Sequence, residues 1–159
     1  MRRAPRRAVT SRHTVTGLLV LGVAGVALSG CSATVEVTPP AHSAACGPAT
    51  AKWPATVGGH SRREVEVTGN PRDAAAWGDP AVIATCGWPA LGPTEHECLD
   101  VDGVYWVVEP LGDGVRFTTF GRDPAMEVLV PHAYRPEPLL LPAFEAAARA
   151  LPTNGRECR

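Results

Sequence analysis

The sequence predicts an α+β fold, an antiparallel β-meander of about five strands with a short N-terminal helix and a C-terminal helix packed on the sheet. Three observations support this prediction. Short β-branched segments between residues 81 and 130 alternate with tight-turn signals, among them Asp102-Gly103. An apolar pattern with helical spacing follows Pro131, and an alanine-containing segment with Cys46 and Trp53 lies upstream.

The strands are taken in order along the chain. Four of them are consecutive and joined by short turns, so they form a meander, and a fifth strand precedes them. A further short strand is expected at residues 64–67, where valines alternate with acidic residues. The five main strands are expected at residues 81–86, 98–101, 104–108, 115–120 and 126–130.

One helix is predicted on each side of this meander. Residues 42–57 favour a short helix that Gly47-Pro48 either begins or interrupts, because proline is tolerated only in a first turn. After Pro131, apolar side chains recur on one helical face, which predicts a helix lying on the sheet. These side chains are Leu139, Leu140, Phe144, Ala147, Ala148 and Leu151.

Residues 1–30 have the layout of a secretory signal peptide. Five arginines and no acidic residue precede His13, and residues 15–28 are apolar and uncharged. A transmembrane helix is the weaker interpretation, because crossing a bilayer takes about 20 apolar residues. We therefore expect the chain to be exported.

A cysteine follows this apolar run. Leu28-Ser29-Gly30-Cys31 resembles the bacterial lipoprotein box, in which the thiol receives a diacylglyceryl group and the peptide is cut just before the cysteine. Lipid on Cys31 would anchor the protein to the outer face of the cell membrane. Residues 31–41 are then expected to be a polar tether, and residues 42–159 a single disulfide-stabilised domain. The alternative is an ordinary signal peptide cut near Ala33, which leaves Cys31 without a role.

The charge of the chain argues against nucleic acid as a partner. Five of the 15 basic residues and none of the 16 acidic residues lie in the first thirty positions, so the remainder has a formal charge of −6. A surface that binds phosphates needs a basic stripe. The partners expected are therefore the membrane, through the lipid, and a protein of the cell envelope.

Four cysteines remain when Cys31 is assigned to lipid. In an exported domain an even set indicates two disulfides, and four cysteines allow three connectivities. Sequence alone does not choose among them. The favoured arrangement pairs Cys46 with Cys86 and Cys98 with Cys158, since the second bond would attach the C-terminal tail to the sheet.

Four segments together resemble a known family. They read AAWGDPAVIATCG at residues 75–87, DGVYWVVEP at 102–110 and VRFTTFGRDPAMEVLVP at 115–131, and they are followed by the helix at 134–151. In order and spacing these segments look like the actinobacterial lipoproteins of the domain of unknown function 3515 family. The resemblance implies an exported envelope protein, usually lipid-anchored, without an established activity. It also adds weight to the pairing of Cys46 with Cys86.

Two motifs were candidates for chemistry. Trp77-Gly78-Asp79-Pro80 combines an aromatic ring with a carboxylate, but spacing supplies no partner group, so a structural turn is the favoured interpretation. Glu95-His96-Glu97-Cys98, taken with His60 or His132, lacks the paired spacing of a zinc site. No nucleophile motif is present. We therefore expect neither catalysis nor a bound metal or other cofactor.

Aromatic residues offer a binding surface instead, since aromatic rings and arginine are enriched at binding hot spots. Trp106 alternates with the core pattern of its strand and is left out of this surface. We expect a non-catalytic accessory or interaction module of the envelope; the alternatives are a small-ligand or metal-binding lipoprotein and, third, an enzyme acting on the wall. The candidate recognition patch comprises Trp77, Asp79, Trp88, Tyr105 and Arg122.

Overall fold

The computed structural model describes residues 34–158. The expected signal peptide and Cys31 lie outside the described residues. Ten strands are present in this part of the chain, and they follow the sequence as β1 (Val35–Val37), β2 (Thr56–Val57), β3 (His60–Arg63), β4 (Val65–Val67), β5 (Ala74–Trp77), β6 (Val82–Trp88), β7 (Cys98–Val101), β8 (Val104–Pro110), β9 (Gly114–Phe120) and β10 (Ala125–Pro131).

The main sheet has eight antiparallel strands in the order β2-β3-β5-β6-β10-β9-β8-β7. The five predicted strands are adjacent within it, since β7, β8, β9 and β10 form the meander and β6 pairs with β10. Asp102 and Gly103, with φ values of 53° and 71°, make the two-residue turn between β7 and β8. The α+β class is confirmed, but the sheet extends further than predicted.

Three strands beyond β6 account for the difference. β5 reads Ala-Ala-Ala-Trp, and alanine is poorly represented in strands, so its propensity gave no signal. β2 is only two residues long, and β3 reads His-Ser-Arg-Arg with mostly exposed side chains. β2 pairs with β3, β3 pairs with β5, and β5 pairs with β6, so both short strands join the sheet through β5.

The segment expected to be a free tether is partly docked. Val35–Val37 forms β1 and pairs in parallel with β4 outside the main sheet. Val37 is buried, and the oxygen of Ala41 lies close to Gly87 of β6. The prediction overlooked that two valines can pack against the domain while the intervening Glu36 stays exposed.

Both helices are shorter than predicted. The N-terminal one consists of a 3-10 turn, Ala44–Cys46, and α1, Gly47–Thr50. The C-terminal one begins as a 3-10 helix over Glu137–Phe144 and becomes regular only in α2, Glu145–Arg149. Pro142 lies inside the 3-10 stretch, and proline supplies no amide for an α-helical hydrogen bond. Within residues 34–158, no helix is long and apolar enough to cross a membrane.

The helical segments cover one face of the main sheet. Phe144 packs edge-on against Trp77 of β5 at 5.3 Å between ring centroids, and against Trp53 at 6.5 Å. The Trp77 indole donates a hydrogen bond to the carbonyl of Pro54. Further buried side chains on this face include Trp106, Phe117, Met126, Val128 and Ala148.

Two disulfides connect the sheet to other parts of the chain. Cys46, at the start of the N-terminal helix, is bonded to Cys86 of β6, with Cα atoms 5.9 Å apart. Cys98 of β7 is bonded to Cys158, with Cα atoms 5.8 Å apart. Both separations lie in the usual range for disulfides. The second bond holds the C-terminal tail beside the edge of the sheet.

Replacing Phe144 by alanine tests the packing of the helical layer. We expect F144A to lower the free energy of unfolding by about 3–5 kcal/mol, because the ring is fully buried and its removal leaves a cavity. The control is L139A in the same helical segment, where the side chain is 71% exposed and the change should be within about 0.5 kcal/mol. Urea unfolding measures both; equal effects would contradict the packing described.

Candidate recognition surface

The face of the main sheet opposite the helical segments, here called the outer face, carries three aromatic side chains. In β8, Trp106 is fully buried on the helical side, so its neighbour Tyr105 points to the outer face. Tyr105 pairs with Phe120 of β9, which therefore points the same way. Both rings are half-buried.

Trp88 reaches the same face because β6 is irregular near its end. The register with β10 shifts between Ala125 and Met126, so Trp88 lies opposite Ala125, whereas Cys86 lies opposite Met126. Such a bulge redirects a side chain to the other face of the sheet. Gly87 has a φ of 114°, and a Cβ there would meet the Ala41 oxygen at 2.7 Å, so glycine is required.

Trp88, Phe120 and Tyr105 therefore form one transverse row, here called the aromatic row. The Trp88 indole donates to the Thr85 hydroxyl at 2.8 Å, which orients the ring on the outer face. β10 lies between β6 and β9. With about 4.8 Å between neighbouring strands, Trp88 stands roughly 10 Å from Phe120. Half-buried rings with a fixed orientation are suited to binding another protein.

A charged row crosses the middle of the outer face. Arg116 of β9 lies 3.0 Å from Glu109 of β8 and 3.2 Å from Glu127 of β10. Glu127 is only 8% exposed. Burial raises its pKa and the nearby Glu109 charge adds to this effect, while Arg116 opposes both. Burial therefore disfavours the charged form of Glu127 at the centre of the sheet.

A groove lies beside the aromatic row. It has a volume of about 370 Å³ and is lined by Phe120, the Cys98–Cys158 disulfide and residues of two flanking segments. A second cavity of about 390 Å³ shares Pro93, Phe120 and Glu157 with it. The C-terminal tail forms one wall, since the Asn154 amide donates to the Gly121 oxygen at 2.9 Å.

The predicted patch is divided by the fold. Trp88 and Tyr105 share the outer face, but Trp77 is fully buried in the core and does not belong to a surface. Asp79 lies at the opposite end of the sheet, 3.3 Å from Arg63. Arg122 is at the same end as the aromatic row, where its guanidinium donates to the Leu151 carbonyl. Burial, followed by the charge of Arg149, lowers the pKa of Arg122.

Phe120 is the member of the row that the sequence prediction missed. Part of the signal is in the sequence. With Asp102-Gly103 as the turn before β8, Tyr105 is placed on one face of the sheet, and the residue of β9 that pairs with Tyr105 must lie on the same face. The sequence predicts that Phe120 lies in a strand but not that it pairs with Tyr105, because that pairing depends on the length of the turn between β8 and β9.

Neither of the two motifs considered for chemistry forms a site in the described residues. The motif at residues 77–80 forms a hydrogen-bonded turn, and the motif at residues 95–98 belongs to no cluster of metal-ligating side chains in that part of the chain. At Gly78 the φ is 72°, its carbonyl accepts a hydrogen bond from Arg63, and the Tyr134 hydroxyl donates to the carbonyl of Pro80. His96 lies in an exposed loop. Within residues 34–158, no group of three or more metal-ligating side chains is present.

A second carboxylate is buried outside the outer face. Glu137 accepts from the His132 ring at 2.6 Å and from Arg135 at 3.3 Å. Burial alone would raise the pKa of Glu137, but the hydrogen bonds from His132, its own amide and Arg135, with the charge of Arg135, outweigh burial and lower it. The pKa values of Glu127 and Glu137 are therefore shifted in opposite directions.

These two pKa shifts predict opposite dependences of the free energy of unfolding on pH. A raised folded pKa makes the contribution of Glu127 fully present below the unfolded value of about 4.3, and the contribution is lost as the pH rises from that value through the folded pKa. A lowered folded pKa makes the contribution of Glu137 present above that value and lost as the pH falls through the folded pKa. In urea unfolding from about pH 3 to pH 7, the stability advantage of the native protein over E127Q should fall, and that over E137Q should rise. Slopes of the same sign would contradict this prediction.

Comparison with known proteins identifies the family. A family model described as "Protein of unknown function (DUF3515)" matches residues 14–154, which include all ten strands. Neither a curated protein nor a solved structure matches the chain. The family membership expected from the sequence is thereby confirmed, and the chain belongs to the DUF3515 family.

Proposed function

We propose that this protein is a lipid-anchored, non-catalytic interaction module of the cell envelope, and that the aromatic row on the outer face binds its protein partner. The observation that carries the proposal is the alignment of Trp88, Phe120 and Tyr105 at one end of a rigid sheet. Aromatic side chains that are already oriented lose little entropy on binding. The groove beside Phe120 adds a concave surface for a partner side chain.

The anchor in this proposal is a lipid on Cys31, and the Leu28-Ser29-Gly30-Cys31 box supports it. Only residues 32–34 separate Cys31 from β1. Three residues of any conformation span at most about 10 Å, so a lipid on Cys31 would hold the domain near the bilayer. Such a domain would meet partners that lie close to the membrane surface.

A second candidate function is small-ligand binding, which the groove favours. Its volume of about 370 Å³ lies within the range of ligand pockets, and Phe120 and Pro93 give it apolar walls. Native mass spectrometry of the purified protein tests this alternative. A small molecule bound at one equivalent, and lost in F120A, would favour it over the interaction module.

Replacing Trp88 and Tyr105 by alanine tests the recognition surface. After cross-linking on intact cells and affinity capture, we expect W88A/Y105A to recover at least about tenfold less partner, the loss of roughly 1.4 kcal/mol or more that a hot-spot pair supplies. L139A is the matched control, since it removes an exposed apolar side chain from the helical side. Unchanged capture by a double variant with native unfolding behaviour would remove the aromatic row from the proposal.

The anchor is tested separately with C31A. We expect this variant to leave the membrane fraction. Without acyl chains it loses the free energy of burying them in the bilayer, about 0.8 kcal/mol for each methylene. Mass spectrometry of the membrane form should show a diacylglyceryl group on Cys31. An unmodified native chain, or a C31A variant that remains with the membrane, would contradict the anchor.

A further inference from the structure

The strand β7 forms an edge of the main sheet close to the aromatic row. Within residues 34–158, β7 pairs with β8 on one side and ends the strand order on the other. β2 ends the opposite side, but it has only two residues. β7 is thus the longer of the two sheet edges, and it carries the Cys98–Cys158 disulfide.

The hydrogen-bonding pattern shows which main-chain groups of β7 face outward. The Val108 amide donates to the Glu97 carbonyl at 2.8 Å, so this pair is a hydrogen-bonded one. In an antiparallel ladder hydrogen-bonded and non-hydrogen-bonded pairs alternate. The next pairs are Cys98 with Val107 and Leu99 with Trp106, followed by Asp100 with Tyr105. The amide and carbonyl groups of Cys98 and Asp100 therefore point away from β8.

The charged side chains of β7 and of the segment before it are all acidic, and the nearest cations lie on other segments: Arg156 on the tail, and Arg149, which donates to the Asp102 carbonyl. Residues 93–101 include Glu95, Glu97 and Asp100, all exposed, and no lysine or arginine. Glu157 adds a further exposed carboxylate on the tail. Arg156 is the only basic residue of the tail segment 152–158, and its guanidinium donates to the Leu91 carbonyl.

We propose that β7 binds an extended, basic peptide segment of a partner protein as an additional strand. The outward groups of Cys98 and Asp100 pair with the peptide main chain, as in other cases of strand addition. Basic side chains lie against Glu97 and Glu157, and an apolar side chain enters the groove over Phe120. This inference rests on the proposed function and names the class of partner for the same surface.

Charge selects this occupant over others. A membrane surface rich in anionic lipids, or a nucleic acid, would be repelled by the carboxylates beside β7. A second copy of this chain would bring its own acidic β7 edge against the first, and like charges directly opposite are destabilising. A basic strand satisfies both the unpaired main chain and the carboxylates.

The decisive variant is D100P, with D100A as its matched control. Proline removes the outward amide of residue 100 and keeps the hydrogen bonds to β8, because that amide does not point to β8. Both variants lose the hydrogen bond that the Gly103 amide donates to the Asp100 carboxylate, and both lose one charge. The difference between them therefore isolates the main-chain donor.

The probe is a capped octapeptide of alternating arginine and valine, with alternating glutamate and valine as its control. It is titrated by calorimetry into the protein as purified from the cells that express it, held in nanodiscs of uncharged lipid if it carries the anchor. We expect binding of the arginine peptide to be about fivefold to tenfold weaker in D100P than in D100A, the effect of one hydrogen bond. In the native protein, binding of the arginine peptide should also slow hydrogen exchange of the Cys98 and Asp100 amides. The exchange rates of the Leu99 and Val101 amides, which are already paired with β8, should change little.

Equal affinities of D100P and D100A, unchanged exchange at Cys98 and Asp100, or equal binding of the glutamate peptide would each overturn the inference. The result is separable from the proposed function. If W88A/Y105A abolishes partner capture while the arginine peptide fails these criteria, the interaction module stands and strand addition at β7 is wrong. If the peptide binds as expected while W88A/Y105A captures normally, the edge is a site and the aromatic row is not.

Discussion

The packing of Phe144 against Trp53 and Trp77 is the contact on which the rest of the domain depends. It joins three parts of the chain that are distant in sequence: the end of the N-terminal helical segment, β5 and the C-terminal helical segment. Edge-to-face contacts between buried rings add to the free energy of burying them. Because neither helix has more than two regular turns, this contact and the Cys46–Cys86 bond hold them on the sheet.

Covering one face of the sheet leaves the other available for recognition. The bulge at Gly87 brings Trp88 onto the outer face, and the pairing of β8 with β9 places Phe120 beside Tyr105. The Cys98–Cys158 bond then holds the C-terminal tail as a wall next to these rings. The surface is built from regular strands and a covalent bond, so its geometry does not rely on long loops.

Local patterns were sufficient to predict β6 to β10, because these segments carry β-branched or aromatic residues and are bounded by glycine, aspartate or proline. They failed at β5, whose three alanines are buried in a strand only because β6 pairs with them. They also misplaced Trp77, since Trp77 lies on the helical face and its exposure depends on where Phe144 packs. At the bulge that redirects Trp88, Gly87 lies against the oxygen of Ala41, a contact between residues 46 positions apart that no local pattern contains.

Site-specific photo-cross-linking in intact cells is the most direct test that the outer face is the recognition surface. A photoreactive amino acid is placed at position 105 on the outer face and, in a separate variant, at position 139 on the helical side. The account predicts one discrete cross-linked envelope protein from position 105 and none from position 139. The same product from both positions, or a product from position 139 alone, would contradict it.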